Sequence, residues 1–147
     1  MEGLGGIADN SEVNIDWNGS LESRKNFELN IKKQDPNVKK LVDNSTTFDL
    51  FNPTTGDATS AKTLNTLNFT YINDPRKIYK KVAGYVDAAV NYERIKESDI
   101  DASLIESKTL QLAIPEWTSS TQWQHLYRAV VYGKDNGVSV VITRIRE

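Results

Sequence analysis

The last third of the chain constrains the fold most. Residues 109–114 read TLQLAI, a short apolar run closed by Pro115, and residues 138–145 read VSVVITRI, rich in β-branched side chains. Each suits a buried strand. Between them, Ser119 and Gln122 have capping-box spacing, Trp123, Leu126, Tyr127, Val130 and Val131 recur on one helical face, and Asn136 and Gly137 supply a stop. Strand, helix and strand in that order favour a parallel pair with a right-handed crossover, since a right-twisted strand feeding a right-handed helix packs back onto its sheet that way. Such a unit needs a sheet covered by helices, which places the chain in the α/β class.

The remaining elements follow from local signals. Residues 75–95 give the clearest helix: Asp74 caps it, Pro75 takes its first turn, and Ile78, Val82, Tyr85 and Ala89 form an apolar stripe. A helix is expected over 20–33, with Ser20 or Ser23 as cap and Leu21, Phe27 and Ile31 facing inward. Residues 34–44, with a proline and several lysines, lead into a hairpin over 47–66, and residues 67–72 supply a third strand. Residues 1–20 are rich in Gly, Asn and Asp, without the basic start and apolar run of a signal peptide, and are expected to be a loosely ordered leading segment before a domain over 21–147. The expected order is α-β-β-β-α-β-α-β, one domain with a central mixed β-sheet flanked by helices.

Composition narrows the chemistry. A chain of 147 residues can bury roughly two thirds of its unfolded surface without a disulfide or metal staple. It has no cysteine, which removes thiol catalysis and Cys-type zinc sites, and one histidine, His125, which removes multi-histidine sites. No apolar run approaches the roughly 18 residues of a membrane span. The net charge of −2 requires any nucleic-acid contact to rest on local basic patches. Two exist: Arg76, Lys77, Lys80 and Lys81 near a helix N-terminus, and Lys32, Lys33, Lys39 and Lys40. The first sets like charges four residues apart at the dipole's positive end, a cost that a polyanion would relieve; the plain alternative is a solvated face.

The hairpin carries the candidate chemistry. Pro53 suits the second position of a turn and Gly56 a left-handed position near its end, so a loop centred near Thr55 would set Asp49 across from Lys62 and Phe51 across from Ser60. Asp49, Ser60 and Lys62 would then share a face. Such a group can serve phosphodiester hydrolysis, or Asp49 and Lys62 can form an ordinary cross-strand ion pair. His125 falls off its helix's apolar face, Trp123 reads as core, and Glu97, Asp99, Asp101 and Glu106 read as a solvated connection without the glycine of an EF-hand loop.

The element order and the Asp49 and Lys62 pair resemble the PD-(D/E)xK nuclease core, with Ser60 where the second acid usually stands. More of the chain is involved in a second resemblance. The strings FDLFNPTTGDATSAKTLNT, DPRKIYKKVAGYVDAAVNY, LQLAIP and TSSTQWQHLYRAVVYGKDNGVSVVIT are similar to C-terminal toxin domains of contact-dependent growth inhibition proteins, specifically the tRNA-nuclease type. The resemblance implies a site of Glu28, Asp49, Ser60 and Lys62, in which Glu28 and Asp49 would hold Mg2+ or another divalent ion if the reaction depends on metal. Thr63, Arg76, Lys77, Lys80 and Lys81 would contact substrate. It also implies a tRNA substrate, a cognate immunity protein, carriage at the end of a large secreted effector, and delivery to the target-cell cytoplasm. A metal-dependent DNA endonuclease is the alternative within the fold, and a non-enzymatic α/β binding module is the alternative outside it.

Overall fold

The computed structural model describes residues 3–18, 21–41, 47–95 and 99–147. Along the chain run β1 (Leu4–Asp9), α1 (Asn10–Val13), α2 (Leu21–Gln34), β2 (Lys39–Lys40), β3 (Leu50–Asn52), β4 (Asp57–Thr63), α3 (Phe69–Asn73), α4 (Arg76–Val90), β5 (Ser107–Pro115), α5 (Ser120–Asp135) and β6 (Val138–Arg146). The strands form one mixed sheet in the order β1-β6-β5-β4-β3-β2. β4, β5, β6 and β1 run parallel, while β2 and β3 are antiparallel additions at one edge.

The C-terminal unit forms as its sequence predicts. β5 and β6 pair in parallel from Lys108↔Val138 to Pro115↔Ile145, and α5 starts with a complete capping box between Ser119 and Gln122. Gln122 also donates to the Thr66 carbonyl at 2.6 Å, so the cap ties the helix to the end of the neighbouring crossover. Alternation along the strands makes two cores. Leu110, Leu112, Ile114, Val138, Val140 and Ile142 face α4 and α5; Ala113 and Ile145 face α1 and α2 with Val13, Ile15, Phe27 and Ala61. Each fully buried leucine or isoleucine there contributes about 1.5–3 kcal/mol. The inward face of α5 is Gln122, Leu126, Ala129, Val130 and Gly133, whereas Tyr127 and Val131, read as inward, are exposed. Gly133 lets α5 lie close on the sheet, where a Cβ would stand 2.8 Å from the Val138 carbonyl oxygen.

Other expectations change too: Leu21, expected to face inward from α2, is exposed. Residues 67–72 are not a strand: Asn68 caps α3 by accepting from the Thr70 amide at 3.0 Å, and Asn65 accepts from the Leu67 amide at 3.1 Å. Asparagine side chains that take neighbouring amides compete with a ladder, and Phe69 and Ile72 gain no burial to oppose them. Residues 1–20, expected to be loose, contain β1, whose pairing with β6 is carried by backbone; Leu4 and Ile7 remain exposed, so no apolar alternation marks it. α4 ends at Val90 rather than near 95. Asp99 is buried and accepts from the Ile95 amide at 3.2 Å, not solvated as expected. Ser20 and Glu97 lie outside the described residues; Ser23, the other cap candidate, stands inside α2.

Candidate active site

The site begins where the β3–β4 ladder stops. Asn52 closes the hairpin: its side chain accepts from the Thr54 and Thr55 amides, and its carbonyl accepts from the Gly56 amide at 2.7 Å, with Gly56 left-handed at φ 76°. The pairs are Asn52↔Asp57, Phe51↔Ala58 and Leu50↔Thr59, so the turn is centred one residue earlier than expected and every partner shifts by two. Phe51 faces Ala58, not Ser60, and Asp49 is not opposite Lys62.

Asp49 sits just beyond the last of these pairs. Its amide donates to the Thr59 carbonyl at 2.9 Å and its carbonyl accepts from the Leu41 amide at 2.8 Å, while its carboxylate accepts from the Ala61 amide at 2.8 Å. A side chain has replaced the backbone partner, so the strands part there without leaving the Ala61 donor unmet.

Glu28 arrives from α2. Ser23 fixes that helix by accepting from the Asp16 amide at 2.9 Å and donating to the Asp16 carbonyl at 2.8 Å, and Phe27 is buried against the sheet. Glu28 is 4% exposed and lines the same small cavity as Asp49. Burial first, then the neighbouring Asp49 carboxylate, push its carboxyl from an ordinary 4.5 up to about 7; Arg24 and Lys40 act the other way. At neutral pH Glu28 is poised between its two protonation states.

Lys62 arrives from the opposite face of β4, the side of Ala58 and Leu64, with Nζ 5.3 Å from the centre of the Tyr85 ring on α4. Burial lowers its pKa, opposed chiefly by the Asp49 charge and reinforced by Arg24. The acids and the lysine therefore converge on the open edge of β4 from both faces instead of sharing one. Two cavities adjoin them. One, of about 80 Å3, is lined by Arg24, Lys25, Glu28, Lys40 and Asp49; the other, of about 230 Å3, by Arg24, Lys62, Thr63 and Tyr85.

The structure brings Glu28, Asp49, Lys62 and Thr63 together and leaves others aside. Ser60 is buried at 3% exposure and lines neither cavity. Lys81 flanks the site, with Nζ 5.5 Å from the Tyr85 ring. Arg76, Lys77 and Lys80 instead line a groove of about 640 Å3 with Tyr79, Arg128 and Tyr132, because the Ile78, Val82, Val86 and Ala89 stripe turns their side of α4 toward α5 and solvent. Arg76 also pairs with Asp74 at 3.0 Å. His125 stands on α5 beside Arg128, 3.1 Å from its guanidinium. Sequence reasoning missed Arg24, whose one signal is its place a helical turn before Glu28, and took Tyr85 for core although it walls the second cavity.

Glu28 and Asp49 offer hard oxygen donors of the kind a divalent cation takes, and their mutual repulsion is what such an ion would relieve. Among the described residues no group of three or more His, Cys, Asp and Glu could hold a metal.

Residues 21–143 match the family described as the CDI toxin restriction endonuclease-like domain. The chain belongs to this family. Its CDI toxin relatives include a deoxyribonuclease CdiA-o11 of Escherichia coli O157:H7 (strain EC869), 32% identical over 139 residues, and a deoxyribonuclease CdiA of Yersinia pseudotuberculosis serotype O:3 (strain YPIII), 31% identical over 139 residues. Each match covers 92% of this chain but only 37% and 13% of those proteins, so the chain spans a minor part of either. A solved CdiA-CT/CdiI toxin and immunity complex from Yersinia pseudotuberculosis superposes with a TM-score of 0.71 at 32% identity, covering 80% of this chain and 96% of that one. The resemblance to contact-dependent growth inhibition toxins and the restriction-endonuclease-like fold therefore hold. The tRNA-nuclease subtype gains no support, since both curated relatives carry the name deoxyribonuclease.

Proposed function

We propose that this domain is a DNA endonuclease of the CDI toxin family, cutting phosphodiester bonds at the open edge of β4. The observation that carries the reading is that Glu28 and Asp49 line one cavity where the β3–β4 ladder stops, with Lys62 close enough to feel the Asp49 charge. Hydrolysis of a phosphodiester needs a positioned water and relief of charge on the phosphoryl oxygens. Asp49, fixed by the Ala61 amide, and Glu28 would hold a divalent ion, which when bound would acidify water and neutralise phosphate charge. Lys62, partly buried against Tyr85, would place a short-range positive charge against the phosphate or orient the attacking water. Thr63 would contact the backbone of the substrate beside it.

DNA is favoured over tRNA by the names of the two curated relatives. The binding-module alternative expects Asp49 and Lys62 on opposite faces of the hairpin, and the two do reach the β4 edge from different faces; the nuclease reading is preferred because the Asp49 charge nevertheless acts on Lys62 across that edge, opposing the effect of its burial. By analogy with the solved toxin and immunity complex, a cognate immunity protein would neutralise the domain in its producer, and the domain would travel as the end of a larger secreted effector into a target cell. Among the described residues no helix is long and apolar enough to cross a membrane.

Purified domain incubated with plasmid DNA and with total tRNA, in magnesium, zinc or chelator, tests the reading. The expected result is metal-dependent nicking of the plasmid with tRNA left intact. Cleavage of tRNA with an intact plasmid would replace DNA by tRNA, and cleavage of neither, with or without cytosolic extract, would remove the nuclease reading.

A further inference from the structure

Arg24 joins the two cavities. It lines both the one that holds Glu28 and Asp49 and the one that holds Lys62 and Thr63, and it sits one helical turn before Glu28 on α2. Its Nε is buried and makes no hydrogen bond. Arg144 Nε is also buried without a partner but lines neither cavity, so Arg24 is set apart by an unmet donor placed where both cavities meet. The charge around it sets the sign of that ligand. Among the described residues, Arg24 and Lys62 face each other across the two cavities with Glu28 and Asp49 at one end, and a phosphate oxygen is the group that two such cations from different elements would hold.

We propose that Arg24 is a substrate-binding residue that grips the phosphodiester being cut, its guanidinium fork spanning the passage from the acidic pair to Lys62. This rests on the nuclease reading above and adds to it the residue that seats the scissile phosphate. Arginine fits the task better than lysine because its planar fork binds two phosphate oxygens at once, with Nε as one prong. Lys62 then supplies a point charge from the other wall, and the phosphate lies between two cations delivered by different elements, α2 and β4.

The tests are Arg24→Met and Arg24→Lys, each measured for thermal melting, for plasmid cleavage over a range of substrate concentration, and, in an Asp49→Asn background, for binding of a short fluorescein-labelled DNA duplex and a labelled single-stranded RNA. Arg24→Met is expected to melt at or above the parent temperature, since it removes a buried unmet donor, to lower cleavage on the order of 100-fold, and to weaken binding about tenfold. Arg24→Lys is expected to recover part of the binding while staying well below the parent in cleavage. Parent-like binding by Arg24→Met overturns the assignment, as does a loss that appears only together with a lower melting temperature. The binding arm stands apart from cleavage: if the parent cuts nothing but Arg24→Met still loses affinity for the labelled strands, the nuclease reading fails and the phosphate-binding assignment survives.

Discussion

The C-terminal crossover and the β3–β4 edge are built from the same sheet yet obey different rules. In β5, α5 and β6 every rung of the parallel ladder from Lys108 to Pro115 is filled, and Leu110, Leu112, Ile114, Val138, Val140 and Ile142 are nearly solvent-free. At the β3–β4 edge the ladder ends after the Leu50↔Thr59 pair, Asp49 substitutes a carboxylate for a backbone partner, and the next positions hold Ser60 and Lys62. A complete ladder buries apolar surface, whereas an interrupted one leaves donors and charges that a ligand can complete. Stability is concentrated in the first region, and the proposed chemistry in the second.

Substitutions should separate the two. Lys62→Ala is expected to lower plasmid cleavage on the order of 10³-fold, about 4 kcal/mol in the barrier, with little change in melting; a parallel fall in melting temperature would mean that the edge is structural after all. In the crossover, Leu112→Ala should cost about 3 kcal/mol of stability by denaturant titration, while the folded fraction cuts at the parent rate.

Glu28 gives a smaller effect with a defined pH course. Its folded-state pKa lies above the unfolded value, so the folded form binds more protons between about 4.5 and 7. The stabilisation from the protonated pair is fully present below about 4.5 and is lost as pH rises through about 7. Glu28→Gln should therefore melt higher than the parent at pH 8, by about 1 kcal/mol after discounting for solvent screening, and the gap should close toward pH 4. Added magnesium should stabilise the parent at pH 8 and the variant less; equal stabilisation of both would remove Glu28 from the metal. The smallest effect is expected in the α4–α5 groove, where the double variant Lys77→Ala and Lys80→Ala should slow cleavage by less than about threefold and flatten its salt dependence slightly, because these lysines lie off the site.

The same contrast explains what was legible in the sequence. The crossover was readable because alternation, a capping box and a Gly stop all state local rules, and it forms within a residue or two of the expected bounds. Asp49 and Lys62 stand out in the hairpin pattern and Glu28 through family resemblance, but their arrangement is not readable from sequence. The turn closes on Asn52 side-chain bonds that shift the register by one residue at the loop centre, and the acids meet the lysine across the sheet's edge. β1 was invisible because its pairing uses backbone and its side chains stay exposed. Arg24 carried no motif at all; only the three-dimensional junction of two cavities gives it meaning.

Asp49→Asn tests the central claim most directly, because the amide oxygen can still accept from Ala61 and keep the interrupted ladder intact while the charge is gone. Plasmid nicking in magnesium should be compared for parent and variant after both are shown to melt at similar temperatures. A loss on the order of 10³-fold is the predicted result. Nicking by the variant within about threefold of the parent would contradict a phosphodiester-cleaving site at the open edge of β4.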